Sequence, residues 1–132
     1  LARAQKIQQR VARVGFDWPD IEGVEAKIDE ELEEIRLADS LVERQMELGD
    51  LLFALVNWVR WLNVDAESAL RDANRRFERR FRHVESLARN RQLDLAELPI
   101  EALEALWQEA KAVVATDSAV SDLSSELPEE QQ

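Results

Sequence analysis

The sequence contains no cysteine, which excludes disulfides, thiolate-held metals and a cysteine nucleophile. Its one histidine, His83, rules out any site that needs two imidazoles and leaves a serine triad a single possible centre. Glycine and proline number three each, too few for a fold punctuated by many turns. No run of 18 apolar residues occurs, so no membrane-spanning helix is expected, and nothing at the start reads as a signal peptide. Basic side chains are outnumbered, 17 against 28 acidic ones, for a net charge of −11. Such a field repels nucleic acid and anionic membranes, so neither is an expected partner. A cysteine-free chain is compatible with a reducing compartment, and a cytoplasmic location is expected.

What is present suffices for one domain. The 132 residues are 45% hydrophobic and 34% charged, enough for a real core beneath a highly charged surface. Apolar residues recur at helical spacing almost throughout. Ala4, Ile7, Val11 and Val14 mark one stripe, closed by Gly15 and the turn-like Phe16-Asp17-Trp18-Pro19-Asp20. Val24, Ile28, Leu32 and Ile35 mark a second, and Leu48 to Val59 a third after a hinge at Ala38-Asp39-Ser40. A fourth begins near Asp65, a capping residue, and carries Leu70, Phe77, Phe81 and Val84; the last runs from Leu103 to Val114. The pattern predicts an all-α helical bundle of about five helices over residues 1–115. Residues 116–132 hold acids, four serines and no Lys or Arg, which predicts a disordered acidic tail. The chain opens at Leu1-Ala2-Arg3, without Met and in mid-pattern for a helix, as expected of a piece of a longer or processed protein.

Carboxylates interrupt two of the stripes. Val24, Ile28, Glu31 and Ile35 share one face of the second helix, so Glu31 falls where the core should be, with Glu34 one turn on. The third helix repeats the device with Glu47 and Asp50. Two i, i+3 acid pairs on consecutive helices joined by a short hinge are brought together. Four carboxylates at a partly buried spot repel one another, and a divalent cation resolves the conflict. With oxygen ligands alone, Mg²⁺ or Mn²⁺ is favoured over zinc. Gly49, unfavourable in a helix interior, suggests close approach of another backbone or a ligand.

The fourth helix places Arg75, Arg76, Arg79, Arg80 and Arg82 within eight residues. Guanidinium groups grip phosphate oxygens in pairs, and Arg76 and Arg80, one turn apart, form a clamp for one polyphosphate. Phe77 and Phe81 match the core stripe. Trp107 suits either the core or a flat wall for an aromatic ligand. Acid pairs holding a metal, with a basic clamp elsewhere, suggest a phosphoanhydride substrate.

Taken in order, several segments resemble the MazG family of nucleoside triphosphate pyrophosphohydrolases. They are Arg3-Ala4-Gln5-Lys6-Ile7-Gln8, Gly15-Phe16-Asp17-Trp18, the Glu30, Glu31 and Glu34 motif, the Glu47 and Asp50 motif, Gly49 to Ala54, Ala73 to Phe81, and Trp107. The resemblance is to the second, C-terminal catalytic domain. It implies an all-α, usually dimeric enzyme that converts nucleoside triphosphates to monophosphate and pyrophosphate with Mg²⁺. Its metal ligands fall on Glu31, Glu34, Glu47 and Asp50, the four that the helical spacing selects. Its nucleotide contacts fall on Lys27, Ile28, Asp29, Glu30 and Glu31; on Glu43, Arg44, Gln45 and Met46; on Arg76, Phe77, Glu78, Arg79 and Arg80; and on Trp107. Glu30 and Glu34 are the candidates to orient or deprotonate the attacking water. The alternative is a catalytically silent helical dimerisation or nucleotide-sensing module. The third helix bears apolar residues on more than one face, which predicts a homodimer.

Overall fold

Helices start where the sequence offers a side chain to cap the first free amides. In the computed structural model, which describes residues 1–125, α1 spans Ala2–Arg13, α2 Ile21–Leu37, α3 Leu41–Trp61, α4 Ala66–Asn90 and α5 Ile100–Ser125, with a 3₁₀ turn at Leu95–Glu97. No strand occurs among the described residues, so the fold is all-α. Asp20 caps α2 by accepting from the Gly23 amide, and Ser40 caps α3 by accepting from the Glu43 amide. Asp65 accepts from the Ser68 amide at the start of α4, as its position predicts. The helices group into two compact units, Leu1–Arg71 and a second that begins at Asp72.

In the first unit, α2 and α3 form a hairpin against which α1 packs. Val24, Ala54 and Val56 are its buried apolar residues, together with Ala66. The inward side of α1 is not the predicted apolar stripe. Gln5 and Gln8 are buried there, while Ile7 is half exposed and Val14 almost fully so. The physical reason is hydrogen bonding across the unit. Gln5 donates to the Val64 carbonyl at 2.8 Å and accepts from the Ala66 amide at 2.8 Å, holding the start of α4. Gln8 donates to the Phe53 carbonyl on α3 at 2.8 Å. Two amides buried with such partners outweigh the apolar alternative.

The turn between α1 and α2 is pinned as firmly. Gly15 sits at φ +88°, a conformation that suits glycine. Asp17 accepts from Arg60 at 2.7 Å, from the Trp61 indole at 3.2 Å and from the Trp18 amide at 2.9 Å. The Arg60 guanidinium in particular holds the Asp17 carboxyl below its usual range. A β-carbon on Gly23 would lie 2.8 Å from the Trp18 ring, so glycine there lets the indole lie against the first turn of α2.

In the second unit, Val84 of α4 packs with Leu106 and Ala110 of α5, and Leu87, Leu95, Leu98 and Trp107 close over them. Phe77 and Phe81 are not core residues. They are largely exposed and stack on each other, with 6.1 Å between centroids and nearly parallel planes; they continue the Val84 and Ala88 side of α4 toward its N-terminus, along a stretch of that side that is less covered. The helix α5 continues past Thr116 to Ser125, into the stretch expected to be a disordered tail. No glycine or proline intervenes before Pro128, and extending an existing helix needs no new nucleus. The rest of that expectation, from residue 126, lies outside the described residues.

Candidate active site

Glu31 and Glu34, three residues apart, project from the last turns of α2, and Glu47 projects from the second turn of α3. The short Ala38–Ser40 hinge folds these helices back on one another, so one carboxylate oxygen from each of the three lies within 4.8 Å of the other two. Glu31 is buried, at 2% exposure; Glu47 is partly buried and Glu34 exposed. Two buried oxygens, Glu31 Oε2 and Glu47 Oε2, have no hydrogen-bond partner. Buried carboxylate oxygens without partners are costly, and an all-oxygen cluster with spare lone pairs fits a hard divalent cation.

The crowding shows in the protonation of the group. The Glu47 carboxyl is pushed up to about 7, chiefly by its hydrogen bond with Glu34, then by loss of hydration and the negative charges of Glu34 and Glu31. One proton thus shared near neutrality relieves the repulsion when no cation is present. Lys27 supplies the other relief: its ammonium lies 2.7 Å from Glu31 Oε1 and 3.3 Å from Glu30. Those hydrogen bonds, the one to Glu31 first, raise the Lys27 pKa.

Asp50, the fourth expected ligand, is exposed on α3 and stands outside the group of three. Ile28 is partly buried, and Asp29 and Glu30 face solvent beside Lys27. Glu43 serves the fold: its carboxylate accepts from the Asp39 amide at 2.9 Å while its own amide donates to Ser40. This reciprocal cap is legible in the Ser40-x-x-Glu43 spacing. Arg44, Gln45 and Met46 are exposed on the first two turns of α3. Gly49 has open space where a β-carbon would be, so no backbone of the described residues accounts for it.

In the second unit, Arg75, Arg76, Arg79 and Arg82 line a shallow cleft of about 520 Å³ with Asp72 and Glu78. Arg80 turns instead onto Trp107, its guanidinium carbon 5.9 Å from the ring centroid, and its buried Nε has no hydrogen-bond partner. Trp107 also meets Phe77 at 5.3 Å between centroids. The indole is a partly buried wall of its own unit, between its two expected roles.

No family model matches the chain. Among curated proteins, it is 51% identical over 111 residues to the "Nucleoside triphosphate pyrophosphohydrolase/pyrophosphatase MazG" of Thermotoga maritima. It is 45% identical over 116 residues to the "Nucleoside triphosphate pyrophosphohydrolase" of Escherichia coli K12. Each match covers 84% of this chain and 44% of the relative, so the chain spans less than half the length of these relatives. A Bacillus subtilis protein named YabN, uncharacterized, is 43% identical over 65 residues, 49% of this chain and 13% of that protein.

Proposed function

This chain is a homologue of the MazG nucleoside triphosphate pyrophosphohydrolases over 84% of its length, and from that premise we propose that it hydrolyses nucleoside triphosphates to monophosphate and pyrophosphate with Mg²⁺, or Mn²⁺ in its place. The observation that carries the reading is the glutamate trio with its two unpartnered buried oxygens. Glu31, Glu34 and Glu47 would hold the cation, with Asp50 as a fourth ligand reached from the next turn of α3. A bound cation offsets polyphosphate charge and acidifies water.

The chain's own groups do the rest. Water adds to a phosphorus of the anhydride chain as the bond to pyrophosphate breaks, and a carboxylate takes the water's proton. Glu34, exposed at the rim of the trio, and Glu30 beside it are the candidates. Lys27, whose ammonium pairs with Glu31 at 2.7 Å, would be available to a phosphate oxygen if Glu31 held a cation. In the second unit, Arg76 and Arg80 are the proposed phosphate contacts, since guanidinium groups offset the negative charge that a pyrophosphate leaving group gains.

Incubation with mixed nucleoside triphosphates and Mg²⁺ tests this. Monophosphate and pyrophosphate should appear in equal amounts. Binding without turnover would favour the nucleotide-sensing alternative.

A homodimer is also proposed, on the exposed apolar residues Leu41, Val42, Met46 and Leu52 of α3, the first at 81% exposure. Sedimentation at micromolar concentration should give twice the chain mass. A fully active monomer would overturn it.

A further inference from the structure

In the second unit, three aromatic rings and one guanidinium form a ladder that burial alone does not explain. Phe77 is 57% exposed and Phe81 42%, yet their rings lie parallel, one turn apart on α4. The Phe77 ring goes on to meet the Trp107 indole at 5.3 Å and 41°, a tilt that aromatic pairs favour. On the same indole lies Arg80, its guanidinium carbon 5.9 Å from the ring centroid. Trp107 itself packs against the Val84, Leu106 and Ala110 core, and Phe77 is its aromatic neighbour on α4. Arg80 differs from the arginines around it. Arg75, Arg76, Arg79 and Arg82 share a solvated cleft, whereas Arg80 is half-buried and its Nε is shut off from water with no acceptor. Its two Nη groups are not among the buried unpartnered atoms, and they carry the four remaining N–H donors.

We infer that Phe77 is a positioning residue: through Trp107 it sets the Arg80 guanidinium before any anion arrives. The inference rests on the proposed function for what Arg80 grips, a phosphate oxygen, and deepens it by naming the group that keeps that grip in place. A solvated arginine must freeze several rotatable bonds when it binds an anion. Arg80 has lost that freedom already, because the indole face attracts its charge and its Nε is enclosed. An indole holds a guanidinium in one place only if the indole itself does not swing. Core packing steadies Trp107, and the Phe77 ring, backed by Phe81, closes the path along which it would turn. Phe77 thus acts on the phosphate contact through its neighbours, without touching the ligand. Arg76, exposed in the solvated cleft, has no such ring to set it.

A double-mutant cycle and one resonance test the proposal. Phe77→Leu should lower kcat/KM by about 3- to 10-fold, the cost of freezing one long side chain on binding, and equally for all four nucleoside triphosphates. In an Arg80→Ala background the same substitution should cost nothing further, because the group it positions is gone. Phe77→Tyr, which keeps the ring, should restore the rate. Phe77 is exposed, so both variants should fold, as melting curves would verify. In the isotope-labelled, metal-free chain, the Arg80 Nε–H resonance is assigned by its loss in Arg80→Lys. It should stand apart from those of the solvated arginines, join them in Phe77→Leu and stay apart in Phe77→Tyr. An unchanged rate in Phe77→Leu, an equal loss in both backgrounds, or an Arg80 resonance that Phe77→Leu does not move would each overturn the inference. So would a halved sedimenting mass in Phe77→Leu, which would give the ring to a contact with a second copy. If the unaltered chain hydrolyses nothing, the proposed function fails, and the resonance alone decides whether Phe77 sets Arg80.

Discussion

The two units treat charge in opposite ways. In the first, three glutamates are drawn together around a buried member, with oxygens left unpartnered and a proton retained near neutrality. In the second, four arginines line an open cleft, and Arg80 lies partly buried against an indole. Like charges spread along a solvated helix face repel weakly through water, so the arginine cluster needs no counter-ion to fold. The glutamates pay for their proximity with desolvation and mutual repulsion. The difference teaches where the fold crowds like charges at a cost and where it spreads them along a solvated face.

The contrast can be broken most strongly at the acids. Glu47→Ala should lower Mg²⁺-dependent turnover by about 10³-fold, since a metal supplies several kcal/mol of transition-state stabilisation. Its melting temperature without metal should not fall, because the substitution removes a crowded carboxyl. Pyrophosphate release and thermal melts with a chelator check both halves. Wild-type rates in this variant would place the cation elsewhere.

Arg80→Ala should act more mildly, by about 10- to 100-fold on kcat/KM, and equally for all four bases, because a guanidinium on phosphate carries no base information. Steady-state rates across the four triphosphates measure it. A loss confined to one base would move Arg80 from phosphate to base recognition.

Protonation sharpens the comparison further. The Glu47 carboxyl titrates near 7 folded and near 4.5 unfolded, so the folded form binds the extra proton between those values. Stability of the metal-free chain from this group is therefore present below about 4.5 and is lost as pH rises through 7. Melting temperature with chelator should decline across that window, and Mg²⁺ should reverse the decline. In Glu47→Gln the slope should flatten, whereas Arg76→Gln should leave it as it is.

The smallest expected effect is at Gly49. With nothing within 4 Å of a β-carbon there, Gly49→Ala should stabilise the chain by about 0.5–1 kcal/mol through helix propensity alone. A denaturant titration measures the gain. A loss of self-association instead would show that a second copy occupies the open space.

Local rules made much of this legible in advance. Helix after helix follows from 3.6-residue periodicity, and the cap at Asp65 from its place before α4. Glu31 betrays itself as a charge inside an apolar stripe, and Glu34 and Glu47 follow by spacing alone. These are relations within one helix or across one short hinge, where neighbours in sequence are neighbours in space.

Other features had no local signal. Gln5 and Gln8 displace Ile7 and Val14 from the inner side of α1 because carbonyls at Val64 and Phe53, about 60 and 45 residues away, await donors. Phe77 and Phe81 fit an apolar stripe yet are largely exposed, since how far along α4 that stripe is covered depends on where α5 packs. Asp50 shares its spacing with Glu34 but stands outside the trio, exposed on α3. Asp17 and Arg60 close their turn across 43 residues. The sequence by itself determined the helices and named the acids. Only the tertiary structure decided which polar groups are buried and which of them lack a partner, because burial and pairing are settled between segments that the chain order keeps apart.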